Sequence, residues 1–200
     1  MSEMAVSAAA IVIAYMIGNI SPATLISKAS GVDIRKEGSG NPGTTNMLRI
    51  MGKKAALLTL VIDVLKGVAG VLVGAYLGGE ALSVLCGLAV FTGHIFPAIY
   101  GFKGGKGIAT AFGVLLALHI NIALICLGVA ALGFVTARRV SVGSLLAALS
   151  LPFLAWLYMP GYILVFTAMA MIVLIKHRSN LMRLIKGEEP KISFKRKDRT

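Results

Sequence analysis

Charge is scarce in this chain. Asp, Glu, Lys and Arg make up 14% of its 200 residues, and only 8 are acidic. With 57% hydrophobic residues and a mean hydropathy of +0.85, that balance excludes an ordinary soluble domain. The two cysteines, Cys86 and Cys126, both lie inside apolar runs without metal-ligand spacing, so they read as buried free thiols. Carboxylates are too few and too scattered to hold Mg²⁺, and neither a metal nor another cofactor is expected. No internal repeat is visible, and the polar interruptions are too short for a second domain. Residues 1–200 therefore read as one transmembrane domain, with 177–200 as a basic cytoplasmic tail. Only Glu3, and no basic stretch, precedes the first apolar run, which is expected to be a retained span rather than a signal peptide.

Long apolar runs dominate what is there. They are long enough for a hydrocarbon core of about 30 Å, and too unalternating for barrel strands. Spans are expected at about 5–27, 54–77, 81–100, 142–158 and 162–175, with Gly78-Gly79-Glu80 and Met159-Pro160-Gly161 as turns. Residues 108–137 are almost uncharged and would extend about 45 Å as one helix. Basic residues decide how that stretch crosses. Of twenty Lys and Arg, six lie in 28–54, two in 101–107, two at 138–139 and nine in 176–200, while Lys66 falls inside a span. If the chain turns near His119-Ile120-Asn121, every basic segment lies on one face, as the positive-inside rule prefers. The expectation is an all-α, polytopic membrane bundle of seven spans, N-terminus outside and C-terminus cytoplasmic. Its fourth and fifth spans are expected to be short, tilted or partly re-entrant. The net charge of +12 then belongs to cytoplasmic flanks facing anionic membrane lipid, and no nucleic acid is implied.

Polar motifs collect on that same side. The first runs from Asp33 to Arg49 and contains Gly38, Ser39, Gly40, Asn41, Pro42, Gly43, Thr44, Thr45 and Asn46 in succession. Glycines let successive N–H groups converge, hydroxyls and amides add donors, and Arg35, Lys36 and Arg49 add charge, which is the chemistry of a phosphate cradle. Such a run reads equally as a connecting loop. The second, Gly93 to Thr110, places Lys106 among Gly104, Gly105 and Gly107 at the start of a helix, an anion site or a topogenic basic turn. It is not a nucleotide-binding Walker loop, because Gly107 follows Lys106. In the third, Lys176 to Glu189, His177, Asn180 and Arg183 fall on one helical face suited to a polyol phosphate, or to a solvated tail. Asp63 and Lys66 are spaced to pair inside a span, for function or for structure alike. Ser141 and Ser144, beside Arg138-Arg139, read as helix caps or as site hydroxyls.

Familiar catalytic constellations are absent. Five positions after His94, His119 and His177 stand Ile99, Leu124 and Met182, so no His-x4-Asp pair of the common glycerolipid acyltransferases exists. Nor is there a serine nucleophile with an elbow.

Taken together, GSGNPGTTNMLR (38–49), DVLKG (63–67), GHIFPAIYGFKGGKGIAT (93–110) and HRSNLMRLIKGEE (177–189) resemble the bacterial acyl-phosphate:glycerol-3-phosphate acyltransferases, the PlsY family, along the whole chain. That resemblance implies a multi-pass enzyme of the cell inner membrane. It would move a fatty acyl group from acyl-phosphate to the 1-hydroxyl of sn-glycerol 3-phosphate, giving lysophosphatidate and inorganic phosphate. It further implies catalytic roles for Ser39, Arg49, Lys106, His177 and Asn180. Substrate-binding roles fall to Gly38, Gly40, Asn41, Gly43, Thr44, Thr45, Asn46, Gly104, Gly105, Gly107 and Ser141. Two phosphate-bearing substrates need two anion sites, and a mixed anhydride is already activated, so positioning and electrostatics suffice. A transporter for a phosphorylated solute is the competing class. The missing repeat and the one-sided motifs speak against it. A scaffold would leave three glycine- and cation-rich clusters unexplained. For the base there are two candidates, a histidine and a phosphate oxygen of the donor, and the latter is favoured.

Overall fold

Two serines start the first two helices. Ser2 accepts the Ala5 N–H to cap α1 (Glu3–Asn19), and Ser21 accepts the Thr24 N–H to cap α2 (Pro22–Ala29), with Pro22 at its first position. The chain was expected to run unbroken from 5 to 27. Pro22, which has no N–H to give, breaks it at Ile20–Ser21 instead. The computed structural model describes residues 2–191; Met1 and 192–200, the end of the expected basic tail, lie outside the described residues.

A polar loop leads to the short α3 (Thr44–Ile50) and then to α4 (Lys53–Ile95). Gly78 and Gly79 interrupt α4 with non-helical backbone, Gly79 at φ 77°, and fold it into two arms. A Cβ on Gly74 would meet the Leu82 backbone, so the arms touch at close range. The second arm ends at Ile95, short of the expected residue 100, because Pro97 follows and a 3₁₀ turn (Ala98–Tyr100) takes over. Beyond the second loop come α5 (Ile108–Leu118), α6 (Ile120–Ala137), α7 (Val140–Tyr158), α8 (Ile163–Lys176) and α9 (Arg178–Ile185). The 108–137 stretch divides at His119, where a turn was expected.

Among the described residues the fold is all helical. Four segments are long and apolar enough to cross a membrane, and a fifth if α8 and α9, bent by 56°, count as one. One of the four is the α4 hairpin with the turn after it. Lipid gives helices no hydrophobic reason to associate, so small residues and close packing hold the bundle. Gly18 and Gly93 seat α1 on α4, Gly67 and Gly113 seat α4 on α5, and Gly133 and Gly143 seat α6 on α7. At each of these six positions a Cβ would collide with the opposing helix. Phe91, Val114, Ile122 and Phe166 fill the interior, while Leu132, Val135, Phe153 and Leu164 stay largely exposed on the outer face. The loops after α2 and α4 and the α8–α9 bend meet at one end.

Candidate active site

The first loop is held from beneath. Ile34 is fully buried as its plug, and Asn46 acts as a strut. The Asn46 amide donates to the carbonyls of Ile34 (3.2 Å) and Glu37 (3.0 Å), and its oxygen accepts the Ser39 N–H at 3.0 Å. Both of its N–H donors and one oxygen lone pair are thus spent on the loop, which makes Asn46 a support beneath the glycines. Gly38 and Gly40 take left-handed backbone at φ 59° and 68°, which turns the loop over. Internal bonds also use the N–H groups of Gly40 and Gly43. The converging donors are therefore fewer than expected; the N–H groups of Asn41, Thr44 and Thr45 have no acceptor among the described residues. Ser39, Gly40 and Asn41 line the open cavity.

The second loop lies flat on the end of α4. Gly104 and Gly105 donate their N–H groups to the carbonyls of Ile95 and His94, both at 3.2 Å. A Cβ at Gly104 would strike the His94 carbonyl, and one at Gly105 the His94 ring. Gly107, left-handed at φ 85°, packs on Phe91 and starts α5. These glycines provide close approach, and they carry Lys106 between them. Its ammonium donates to the side-chain oxygen of Asn180.

Asn180 belongs to the third cluster, built where α8 bends into α9. Gly187, at φ 72°, turns the chain back so that Glu189 sits against α9 and α7. Oε1 of Glu189 accepts from Asn180 Nδ2 at 2.6 Å and from Ser141 Oγ at 2.7 Å. Oε2 accepts from Arg183 Nε at 2.8 Å, and the Glu189 carbonyl accepts from Arg139 at 2.8 Å. Burial would raise the Glu189 carboxyl, but the donors Asn180, Ser141 and Arg183 hold it below the usual carboxylate range. Ser141 is thus buried on Glu189, with its hydroxyl proton committed there. His177, also buried, pairs its Nδ1 with the Val173 carbonyl at 2.9 Å, leaving Nε2 as the free ring nitrogen. Burial lowers its pKa to about 4; the Val173 bond opposes that, Lys106 adds to it and Glu189 opposes it.

Between the three clusters opens a cavity of about 570 Å³. Among the described residues Arg35, Lys36, Lys103, Lys106, Lys176 and Arg183 line it, against the single carboxylate of Asp33. Burial brings Lys106 down to about 8; the Glu189 carboxylate opposes that, while Arg183, Arg49 and Lys176 add to it. Arg49 itself is exposed, reaching the site through its charge. Arg35 stacks 4.7 Å over the Tyr100 ring, and its buried Nε and Nη2 have no partner among the described residues. Arg35 as a whole is half-buried, and its two buried nitrogens could donate to an anion. Among the described residues no cluster of His, Cys, Asp or Glu is arranged to hold a metal ion.

The chain that carries these three cation-rich clusters matches a known family. Residues 8–187 match the family described as glycerol-3-phosphate acyltransferase. The chain belongs to that family. The glycerol-3-phosphate acyltransferase of Neisseria meningitidis is 43% identical over 198 residues, covering 94% of this chain and 98% of the relative. That of Shewanella woodyi is 38% identical over 202 residues and covers both chains in full. Crystal structures of PlsY (YgiH), an integral membrane glycerol 3-phosphate acyltransferase, superpose with TM-scores of 0.89 for the glycerol 3-phosphate form and 0.86 for the lysophosphatidic acid form. They are 34% and 33% identical and cover 94% of this chain and 96% of theirs. The glycerol-3-phosphate acyltransferase assignment therefore extends along nearly the whole described chain, which is an integral membrane enzyme.

Three residues at the site, Arg35, Glu189 and Lys176, were not among the expected catalytic or substrate-binding residues, although Arg35 was expected to add charge to the first motif. Arg35 sat in the first motif, and its signal was its position beside the glycines. Glu189 closed the third, and its signal was being buried and acidic in a basic tail, which sequence alone does not reveal. Lys176 opened the third and resembled any juxtamembrane lysine.

Proposed function

We propose that this enzyme transfers a fatty acyl group from acyl-phosphate to the 1-hydroxyl of sn-glycerol 3-phosphate, releasing lysophosphatidate and inorganic phosphate. The cavity that six cations line and one carboxylate enters carries this reading, since it suits two phosphate groups held side by side. Ser39, Asn41 and the N–H groups of Thr44 and Thr45 take the acyl-phosphate headgroup, with Arg35 above it. Lys106, Arg49, His177 and Asn180 take glycerol 3-phosphate. The hydroxyl attacks the acyl carbon, a new ester C–O bond forms, and the anhydride C–O bond breaks with its bridging oxygen leaving on phosphate. The hydroxyl proton passes to a phosphate oxygen of the donor. His177 suits a binding role better than that of base, because at a pKa of about 4 it is a weak proton acceptor. Its free Nε2 can instead accept a hydrogen bond from the glycerol.

The proposed setting is the cell inner membrane with seven crossings, N-terminus outside, and the site at the cytoplasmic face. The crossings are α1 with α2, the two arms of α4, then α5, α6, α7 and α8. Basic residues on one face support this orientation. Purified protein supplied with acyl-phosphate and glycerol 3-phosphate should release phosphate only when both are present. Equal or better turnover with acyl-CoA, or phosphate release without glycerol 3-phosphate, would contradict the proposal.

A further inference from the structure

Beneath the second loop lies an ionic cluster that the reaction does not itself use. Asp63, Lys66 and His94 are 2%, 5% and 8% exposed, and all three belong to α4, two on one arm and one on the other. The Lys66 ammonium stands 2.7 Å from Asp63 Oδ1, 2.8 Å from His94 Nδ1 and 2.6 Å from the Ile20 carbonyl. An ammonium only donates, so toward Lys66 the His94 Nδ1 accepts; Asp63 Oδ1 lies 3.3 Å from the same nitrogen, which leaves Nε2 as the other ring nitrogen. That Nε2 edge faces the second loop. A Cβ placed on Gly105 would overlap Nε2 and come within 2.9 Å of Cε1. The same histidine accepts the Gly105 N–H on its carbonyl at 3.2 Å. His94 thus touches the residue before Lys106 twice, through backbone and through ring.

On its other side the cluster reaches the α1–α2 break. Lys66 binds Ile20, and neighbouring Asn19 accepts the Ile99 N–H at 3.3 Å, while Tyr15 donates to the Phe96 carbonyl at 2.7 Å. From that break α2 leads directly into the first loop. Apolar side chains would hold two helical arms together at least as well as a buried ion pair, whose desolvation is costly. What apolar side chains cannot do is orient an imidazole.

We propose that Asp63, Lys66 and His94 form a buried positioning unit that sets the height of the Gly104–Gly107 loop and hence the place of the Lys106 ammonium. It keeps that loop in register with the α1–α2 break at Ile20. None of the three touches substrate; they act through the loop. The link to acyl transfer rests on the function proposed above, but anion binding at Lys106 reads the loop by itself.

The test is a double-mutant cycle on detergent-solubilised full-length protein, using His94→Asn and Gly105→Ala. Asparagine leaves Lys66 an acceptor where Nδ1 was, so the ion pair keeps its partner, but it lacks the Nε2 edge. Calorimetry with inorganic phosphate gives Kd, and the two-substrate assay gives KM for glycerol 3-phosphate and kcat. In the wild-type background Gly105→Ala pushes on the ring and should weaken both Kd and KM by about tenfold, with kcat changed less. In the His94→Asn background the methyl has room, and its penalty should shrink to about twofold. An equal penalty in both backgrounds, or none in the first, overturns the proposal. So does a His94→Asn protein with unaltered Kd, KM and kcat. Wild-type protein that binds phosphate but shows no turnover defeats the functional reading while the cycle still decides this one. Wild-type protein that binds no phosphate defeats both.

Discussion

The Lys106 ammonium donates to the side-chain oxygen of Asn180, 74 positions further along the chain. Asn180 can present that oxygen because its NH₂ is committed to Glu189 at 2.6 Å. The second loop and the α8–α9 bend thereby share one polar chain, Glu189 to Asn180 to Lys106, at the edge of the cavity. The Lys106 ammonium is thereby held in place before any ligand arrives, as the proposed phosphate site requires.

Lys106→Ala removes a charged partner of that phosphate. It should cost about 2–4 kcal/mol of transition-state stabilisation, or roughly thirty- to a thousand-fold in kcat/KM, with the protein still folded. Arg49→Ala, assigned to the same substrate, should fall in that range. Steady-state kinetics on purified variants checks both, and near-normal activity removes the residue from the site.

The pH dependence has a defined sign. Burial lowers the pKa of Lys106 to about 8, so the free enzyme loses this positive charge as pH rises through that value. The kcat/KM for glycerol 3-phosphate should therefore hold below pH 8 and fall by up to tenfold per unit above it. His177, at about 4, is neutral throughout this range and contributes no limb near pH 6–7. Any acid limb there belongs to the second ionisation of a phosphate, near about 6, and should persist in His177→Gln. A wild-type limb near pH 6–7 together with a variant whose kcat is abolished and binding intact would make His177 the base.

Ser141 separates an expectation from the geometry. As a substrate ligand its loss would raise KM; as a donor to buried Glu189 its loss should lower stability. Ser141→Ala should therefore cost about 1–2 kcal/mol in thermal unfolding, with KM for both substrates within about twofold of wild type.

How much of this was legible depended on whether a residue's partner was near in sequence. Gly78-Gly79 and His119 punctuate apolar stretches, so the α4 hairpin and the α5–α6 break could be read directly. The cation between glycines at Lys106 announced itself in the same way. The strut at Asn46 could not: nothing local in a glycine-rich loop announces its bonds to Ile34 and Glu37. The partner of Lys66 at His94 lies 28 positions away on the other arm, and no local pattern encodes that contact. Glu189 is similar, since its burial depends on a turn at Gly187 and on α7 packing alongside. Pro22 did carry a readable signal, and the apolar run around it obscured the break it makes.

The topology has its own check. With Cys86 and Cys126 replaced, single cysteines at residues 80 and 160 should label from outside, and those at 103, 139 and 195 only after the membrane is opened. Residue 195 lies outside the described residues and reports the tail. Finding 103 and 139 on opposite faces would rule out seven crossings.

The most direct measurement follows one oxygen atom. Glycerol 3-phosphate carrying ¹⁸O in its 1-hydroxyl is turned over with unlabelled acyl-phosphate, and the products are read by mass spectrometry. Attack of that hydroxyl on the acyl carbon places the label in the ester of lysophosphatidate and leaves the released phosphate unlabelled. Label in a second phosphate ester of glycerol, or no lysophosphatidate at all, would contradict acyl transfer from acyl-phosphate in this cavity.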